Sequence, residues 1–265
     1  MESTRIEDET SGIGAMGNLV SDGGQLEVLT SAMATKRITA RVLEHSSEVT
    51  GKVTILEAGC GRKWELDLET TDFELTGVDL DAHALEHRRS VTQDLDVGIV
   101  GSICDRDIVP LKHFDIVYSS YVLEHIDGAL TTLENFAEWV RPGGLIVMWL
   151  PNRNSVYGWT ARHTPYWVHV WVYRYFFGNR NAGKPGFSPY PTYHDPVLAP
   201  NSLRAFCREH NFSLQELFAV DVFSGRRGAK NAAVRMGMRI VSRVSRGRLS
   251  DREVDLGIVM RKSLV

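Results

Sequence analysis

The chain has 265 residues and a mass of 29.7 kDa, which is room for one large domain or two small ones. Apolar residues make up 43% and charged residues 24%, an ordinary globular balance that excludes a disordered or collagen-like chain. The net charge of −3 hides an asymmetry: no acid lies between Asp221 and Asp251, while Arg226, Arg227, Lys230, Arg235, Arg239, Arg243, Arg246 and Arg248 do. The overall balance is not that of a nucleic-acid binder, which presents a dominant basic face. No apolar run approaches the ~20 residues of a membrane-spanning helix. The best candidate, Trp167–Phe177, is broken by His169 and Arg174. The acidic start, MESTRIEDET, lacks the apolar core of a signal peptide. Three cysteines, Cys60, Cys104 and Cys207, make no disulfide framework, and the expected setting is a reducing cytoplasm.

Residues 1–22 are polar and glycine-rich and are expected to be a mobile or substrate-ordered segment ahead of a domain spanning 23–265. Residues 25–47 carry Leu26, Leu29, Met33, Ile38 and Val42 at helical spacing. From residue 53 short β-rich runs alternate with helix-like segments: 53–56, 74–78, 97–100, 114–119 and 144–150, with helices expected over 81–90 and 128–140. That alternation predicts an α/β fold, a parallel sheet with helices on both faces. A long irregular stretch follows over 151–196, then a helix over 201–210. Strands over 212–223 and 253–262 flank the basic region, whose residues 225–250 read as an amphipathic helix.

The run Val53 to Gly61 is a buried strand entering a glycine turn, Gly59-Cys60-Gly61. Glycines let a backbone turn sharply and approach a ligand without Cβ interference. The next strand ends at Asp79, twenty residues after Gly59, where a carboxylate can accept hydrogen bonds from ribose hydroxyls. A dinucleotide site wants G-x-G-x-x-G. Trp64 holds the third glycine position, and Glu57 precedes the turn. A carboxylate there opposes a pyrophosphate and suits an ammonium group, which argues against a nucleotide-dependent oxidoreductase. A tight loop at the glycines, and a helix N-cap at Asp79, are the structural readings of the same residues.

The ordered segments ILEAGCG (55–61), GVDLD (77–81), FDIVYSSYVLEHI (114–126) and VRPGGLIVMWLPN (140–152) resemble the class I S-adenosylmethionine-dependent methyltransferases, with the small-molecule "type 11" branch the nearest likeness. The resemblance covers 53–151 and implies a Rossmann-like, seven-stranded, mostly parallel sheet with an antiparallel carboxy-terminal edge. It also implies S-adenosylmethionine as cofactor and S-adenosylhomocysteine as product. Glu57, Gly59, Cys60 and Gly61 match the motif that holds the methionine moiety. Asp79 matches the acid on the ribose, and Leu80 the apolar contact beside adenine. Ser102 and Ile103 fall at the adenine edge, where the family often has an aspartate in place of Ser102. Ser119 and Tyr121 face the methionine portion. Lys63 departs from a third glycine, and Arg62 or Lys63 is expected to approach the cofactor's carboxylate. The short crossover after Gly61 predicts a stunted helix or a turn.

Methyl transfer to a hydroxyl benefits from a general base, and histidine suits neutral pH. His125 is the first candidate; the other reading has it brace the pocket. His163, His169 and His194 are secondary, and no compact ligand spacing supports a metal. Residues 151–195 hold twelve of the chain's twenty-four aromatic residues and one acid, Asp195. They are expected to form a substrate lid or a satellite core, with Tyr157, Trp167 and His194 as substrate contacts. The helix over 225–250 carries Arg235, Arg239 and Arg243 beside an apolar stripe of Val234, Met238, Val241 and Val244. It is expected either to lie on an anionic membrane or phosphorylated glycolipid or to pack on the sheet. Together these features predict O-methylation of a small-molecule or lipid/glycan acceptor by a cytoplasmic, membrane-peripheral enzyme. The rival outside catalysis is an inactive methyltransferase fold that serves as a binding module.

Overall fold

The computed structural model describes residues 26–68, 71–175, 178–184 and 189–264; the amino-terminal segment 1–22 expected to be mobile lies outside them. The first departure from expectation comes at once. The segment read as one helix divides into β1 (Val28–Thr30) and α1 (Ser31–Glu48). Thr30 is extended, and its hydroxyl accepts from the Met33 N–H, so the helix can start only at Ser31. Helix α1 buries Ala34, Ile38 and Val42, whereas Met33 of the expected stripe is exposed.

The sheet then builds outward from β2 (Val53–Ala58), β3 (Phe73–Asp79), β4 (Val97–Val100), β5 (Phe114–Ser120) and β6 (Val140–Pro151). It is completed by β7 (Phe212–Asp221) and β8 (Asp255–Lys262). The order is β1-β7-β8-β6-β5-β2-β3-β4, eight strands where seven were expected, the extra one being β1 paired parallel to β7. Only β8 opposes its neighbours, running antiparallel to both β6 and β7.

Alternate residues of each strand feed opposite faces, as the pleat requires. On one face Leu56, Val117, Ile146 and Met148 meet Leu133 and Phe136 of α3 (Ala129–Trp139) and Leu203 and Phe206 of α6 (Pro200–Glu209). On the other, Ile55, Ile116 and Val147 meet Ile38 and Val42 of α1 and Leu85 of α2 (Ala82–His87). The β2–β3 crossover holds no helix among its described residues, as its length predicted. Leu66 and Leu68 fill that space instead.

The expected irregular stretch 151–196 contains two helices, α4 (Val156–His163) and α5 (Tyr166–Tyr175). Among the described residues its aromatics do not make a satellite core; Phe176, Phe177 and Phe187 lie outside them. Tyr157, Trp159, Tyr166, Trp167, Trp171, Tyr175, Tyr190 and Tyr193 are all exposed. The satellite cluster that does form joins Val156 to Val254 and to Met238 of α7 (Ala229–Val244).

In β8, a Cβ added at Gly257 would lie 2.4 Å from two ring carbons of Phe218 on β7. Gly257→Ala is therefore expected to cost about 1–3 kcal/mol in urea unfolding, through overpacking. Adding Phe218→Leu should recover part of that loss; an unchanged midpoint for the single variant would refute the packing argument.

Candidate functional site

The site lies beyond the carboxyl ends of the parallel strands. Gly59 (φ +77) and Gly61 (φ +52) take left-handed backbone as β2 ends. A Cβ at Gly59 would strike Val122, while nothing lies within 4 Å of one at Gly61, so the turn is open to a ligand there. Asp79 is fastened to this turn: its Oδ2 accepts from the Gly61 N–H at 2.7 Å and its Oδ1 from the Asp81 N–H at 2.8 Å. The helix N-cap is Asp81, not Asp79. Each Asp79 oxygen retains a second lone pair, so it can still accept from a ligand hydroxyl. Leu80 beside it is 77% exposed.

Glu57 behaves otherwise than expected. The sequence places it against a cationic ligand; in the structure the cation it meets is Arg88, whose Nη1 donates to Glu57 Oε2 at 2.8 Å. Arg88 is fully buried at the start of a π-helical turn, Arg88–Thr92, and also donates to Asp94 Oδ1 and the Cys60 carbonyl. Burial raises the Glu57 carboxyl while the Arg88 guanidinium 2.8 Å away pulls it back towards the ionised form, and the acids around the guanidinium hold it charged. Burial likewise pushes the Cys60 thiol up to about 12. No sequence signal marked Arg88, which falls in a polar, helix-like segment.

Ser119, buried, donates to the Ala58 carbonyl and ties β5 to the end of β2. Ser102 Oγ accepts from the Cys104 N–H, and Ile103 is buried with its carbonyl held by Asn135. Arg62 is exposed, 4.0 Å from Asp81. Lys63 and Tyr121 line a cavity of about 340 Å³ with Ser31, Thr35, Glu65 and Trp149. Of the residues assigned to cofactor or substrate, Lys63 and Tyr121 border this cavity. It opens between α1 and the β2–β3 crossover, which supplies Lys63, Glu65 and Leu66 to its wall.

Tyr121 takes left-handed backbone (φ +55), an unusual strain for a residue with a side chain. Its hydroxyl donates to Asp255 Oδ2 at 2.6 Å. Asp255 is buried at the start of β8, opposite Pro151, and burial pushes it up to about 6. Burial raises Glu124 to about 8, with Asp255 adding to the effect, and Glu124 Oε2 is buried with no hydrogen-bond partner. Beside them, Nδ1 of His125 lies 2.7 Å from the Pro191 carbonyl, and Nε2 lies 3.7 Å from Glu124 Oε1. A carbonyl only accepts, so Nδ1 carries the hydrogen and Nε2 keeps its lone pair. Burial lowers the His125 pKa, which favours that neutral form.

The chain after α5 returns to this point. The Tyr193 and His194 N–H groups both donate to the Glu124 carbonyl, and Arg153 donates to the His194 carbonyl. His194 is buried, and burial, then Arg162, His125 and Arg153, push it down to about 4. Burial and Tyr173 raise the Tyr157 hydroxyl, with smaller effects of Asp255 and Glu124, so Tyr157 belongs to the same neighbourhood. Trp167 does not join them; its ring is 69% exposed on α5. Among the described residues no cluster of metal-ligating side chains occurs. Sequence reasoning missed Asp255 and Arg88, and it quoted Glu124 only as the neighbour of His125.

Replacing Arg88 with methionine leaves the Glu57 carboxylate buried without its cation. The expected loss is about 3–5 kcal/mol in chemical denaturation, partly restored by Glu57→Gln in the same chain. A loss under ~1 kcal/mol would mean that the pair does not hold the turn.

Comparison with known proteins follows this geometry. A family model described as "Methyltransferase domain" matches residues 29–217. A proposed S-adenosylmethionine-dependent methyltransferase from Listeria monocytogenes superposes with a TM-score of 0.54 at 14% identity, covering 88% of this chain and 100% of that one. A SAM-dependent methyltransferase from Archaeoglobus fulgidus gives a TM-score of 0.51 at 16% identity, covering 86% and 94%. No curated relative matches the chain. The open glycine turn, the acid fastened to it and the family match over most of the sheet agree, and the chain belongs to the methyltransferase-domain family.

Proposed function

We propose that the protein methylates a hydroxyl of a small-molecule or lipid/glycan acceptor, with S-adenosylmethionine as donor and His125 as general base. The cofactor supplies an electrophilic methyl group on a sulfonium. The residues present fit it. Gly59, Cys60 and Gly61 offer the open backbone, Asp79 the acceptor for ribose hydroxyls, and the exposed Leu80 an apolar flank. Ser102, Ile103, Ser119 and Tyr121 complete the proposed cofactor side. Glu57 acts from beneath, through Arg88 and the Cys60 carbonyl, rather than by direct contact.

One observation carries the choice of oxygen: His125 is held by the Pro191 carbonyl in the tautomer that leaves Nε2 free, and burial keeps the ring neutral. Such an imidazole takes a hydroxyl proton as the new C–O bond forms. Residues 151–196 act as the lid. Tyr157 and His194 border the acceptor, and the backbone bonds of Tyr193 and His194 to Glu124 close the lid over the base. The twelve aromatic residues of that stretch favour an acceptor with an apolar or sugar face. A cytoplasmic setting at a membrane surface suits the three unbonded cysteines and the basic segment.

His125→Gln should lower kcat by roughly 10²–10⁴ while calorimetry finds S-adenosylhomocysteine binding unchanged. Because burial lowers the His125 pKa from 6.5, the acid limb of the wild-type kcat profile should fall below that value. An acid limb at or above it would exclude His125 as the base. Binding without turnover across hydroxyl, amine and carbon acceptors would instead identify an inactive binding module.

Gly61→Ala tests the cradle separately. The added methyl meets no protein atom, so the fold should lose only the ~1–2 kcal/mol of a left-handed alanine. Cofactor affinity should drop about tenfold or more, since the methyl intrudes where only backbone was. Unchanged affinity would place the cofactor elsewhere.

A further inference from the structure

Helix α7 carries two apolar stripes, and the structure separates their tasks. Val234, Met238 and Val241 point inward, against Val156, Leu249 and Val254. That is the stripe the sequence offered to a membrane, and packing has already taken it; Val244 alone of those four remains outside. A second stripe, Met236, Ile240 and Val244, recurs every four residues at 56%, 53% and 78% exposure. Arg239 and Arg243 flank it on the exposed side of the helix, and Arg246 and Arg248 follow at its end. Arg235 is paired with Asp221, and Arg239 stands 3.9 Å from Asp251. Arg227, Arg243, Arg246 and Arg248 form no ion pair among the described residues.

We propose that this outer face of α7 docks on an anionic lipid bilayer, lying in the interface rather than crossing it. Three observations select this occupant. The segment from 222 to 250 holds eight cations and no acid, so it complements a negatively charged surface and repels basic ones. The exposed apolar residues sit between the arginines, the arrangement by which an interfacial helix buries its apolar side and keeps its cations at the headgroups. No helix of the described residues is long and apolar enough to span a membrane. Helix α7 also packs on α4, the root of the lid. Docking there sets the lid beside the bilayer; this consequence, not the docking itself, rests on the proposed reaction.

The test is co-sedimentation of the full chain with vesicles of phosphatidylcholine alone and of phosphatidylcholine with about one-third phosphatidylglycerol. Binding is expected to the anionic vesicles only, and to fall as salt screens the charges. Arg239→Gln with Arg243→Gln should weaken it roughly thirtyfold. Ile240→Ser should weaken it several-fold at constant charge. Thermal melting and S-adenosylhomocysteine binding should stay at wild-type values in these variants, so that failure of the docking and failure of the methyltransferase reading are read apart. The proposal is overturned by equal binding to neutral vesicles, by no binding at low salt, or by variants that bind like the wild type. Displacement by soluble glycerol phosphate would overturn it too, pointing to a small-anion pocket. So would a dimer dispersed by the same substitutions, which would make a second copy the occupant.

Discussion

A single buried guanidinium organises the end of the sheet on which the site is built. Glu57 closes β2 with a carboxylate where water cannot reach it, and an isolated ion there would be prohibitively costly. Arg88 answers it at 2.8 Å and at the same time grips Asp94 and the Cys60 carbonyl. One side chain thus joins the end of β2, the π-helical turn after α2 and the approach to β4. The π-helical turn, a rare local geometry, sets Arg88 at the start of that contact. The glycine turn above gains its shape from two directions, Arg88 below and Asp79 at the side. An anion fixed by an internal cation leaves the cradle less negative than the sequence suggested. The backbone and Asp79, rather than Glu57, are then the groups that the turn holds beside the open space at Gly61.

A second buried charge problem lies across the site, answered at Glu124 by protonation and at Asp255 by the Tyr121 hydroxyl. Glu124 and Asp255 are both almost wholly buried, each raised by desolvation, and neither forms an ion pair with a lysine or arginine among the described residues. Tyr121 gives its proton bond to Asp255, and Glu124 keeps one oxygen unpartnered. A Glu124 with its pKa near 8 is largely neutral at physiological pH, so His125 at 3.7 Å is not drawn into a cationic form by it. The two histidines of the region are both held below their ordinary range, His194 by burial and by Arg162, His125 and Arg153. The neighbourhood therefore offers a neutral imidazole lone pair within a low-dielectric enclosure.

Much of the fold was readable because its signals are local. In Leu145 to Leu150 successive residues alternate between the two cores, and the strand is visible as an apolar run before the fold is known. That the β2–β3 crossover holds no helix among its described residues followed from chain length alone. β1 was not readable: three residues ahead of a helix carry the same apolar spacing as the helix itself, and only pairing with β7 draws them into the sheet. The site divides in the same way. Gly59, Gly61 and Asp79 announce themselves by type and spacing. Arg88 stands 31 residues from Glu57, and Asp255 stands 134 from Tyr121; both are ordinary surface residues to any local reading. The stretch 151–196 was misread as irregular because His163, Thr164 and Pro165 interrupt a helical pattern that resumes at Tyr166.

The separation of the two stripes on α7 also explains why the basic segment is a helix at all. A helix with so many like charges is poorly supported by its own side chains, since like charges one turn apart repel. Its inner stripe supplies the missing support by tertiary packing on Val156 and Val254. Arg235 relieves part of the remaining repulsion through Asp221, at the end of β7. Because the inner residues fix the helix to α4, the outer arginines and apolar residues are held in one orientation instead of rotating freely. A surface carried on an element that the core anchors presents its charge as a fixed pattern.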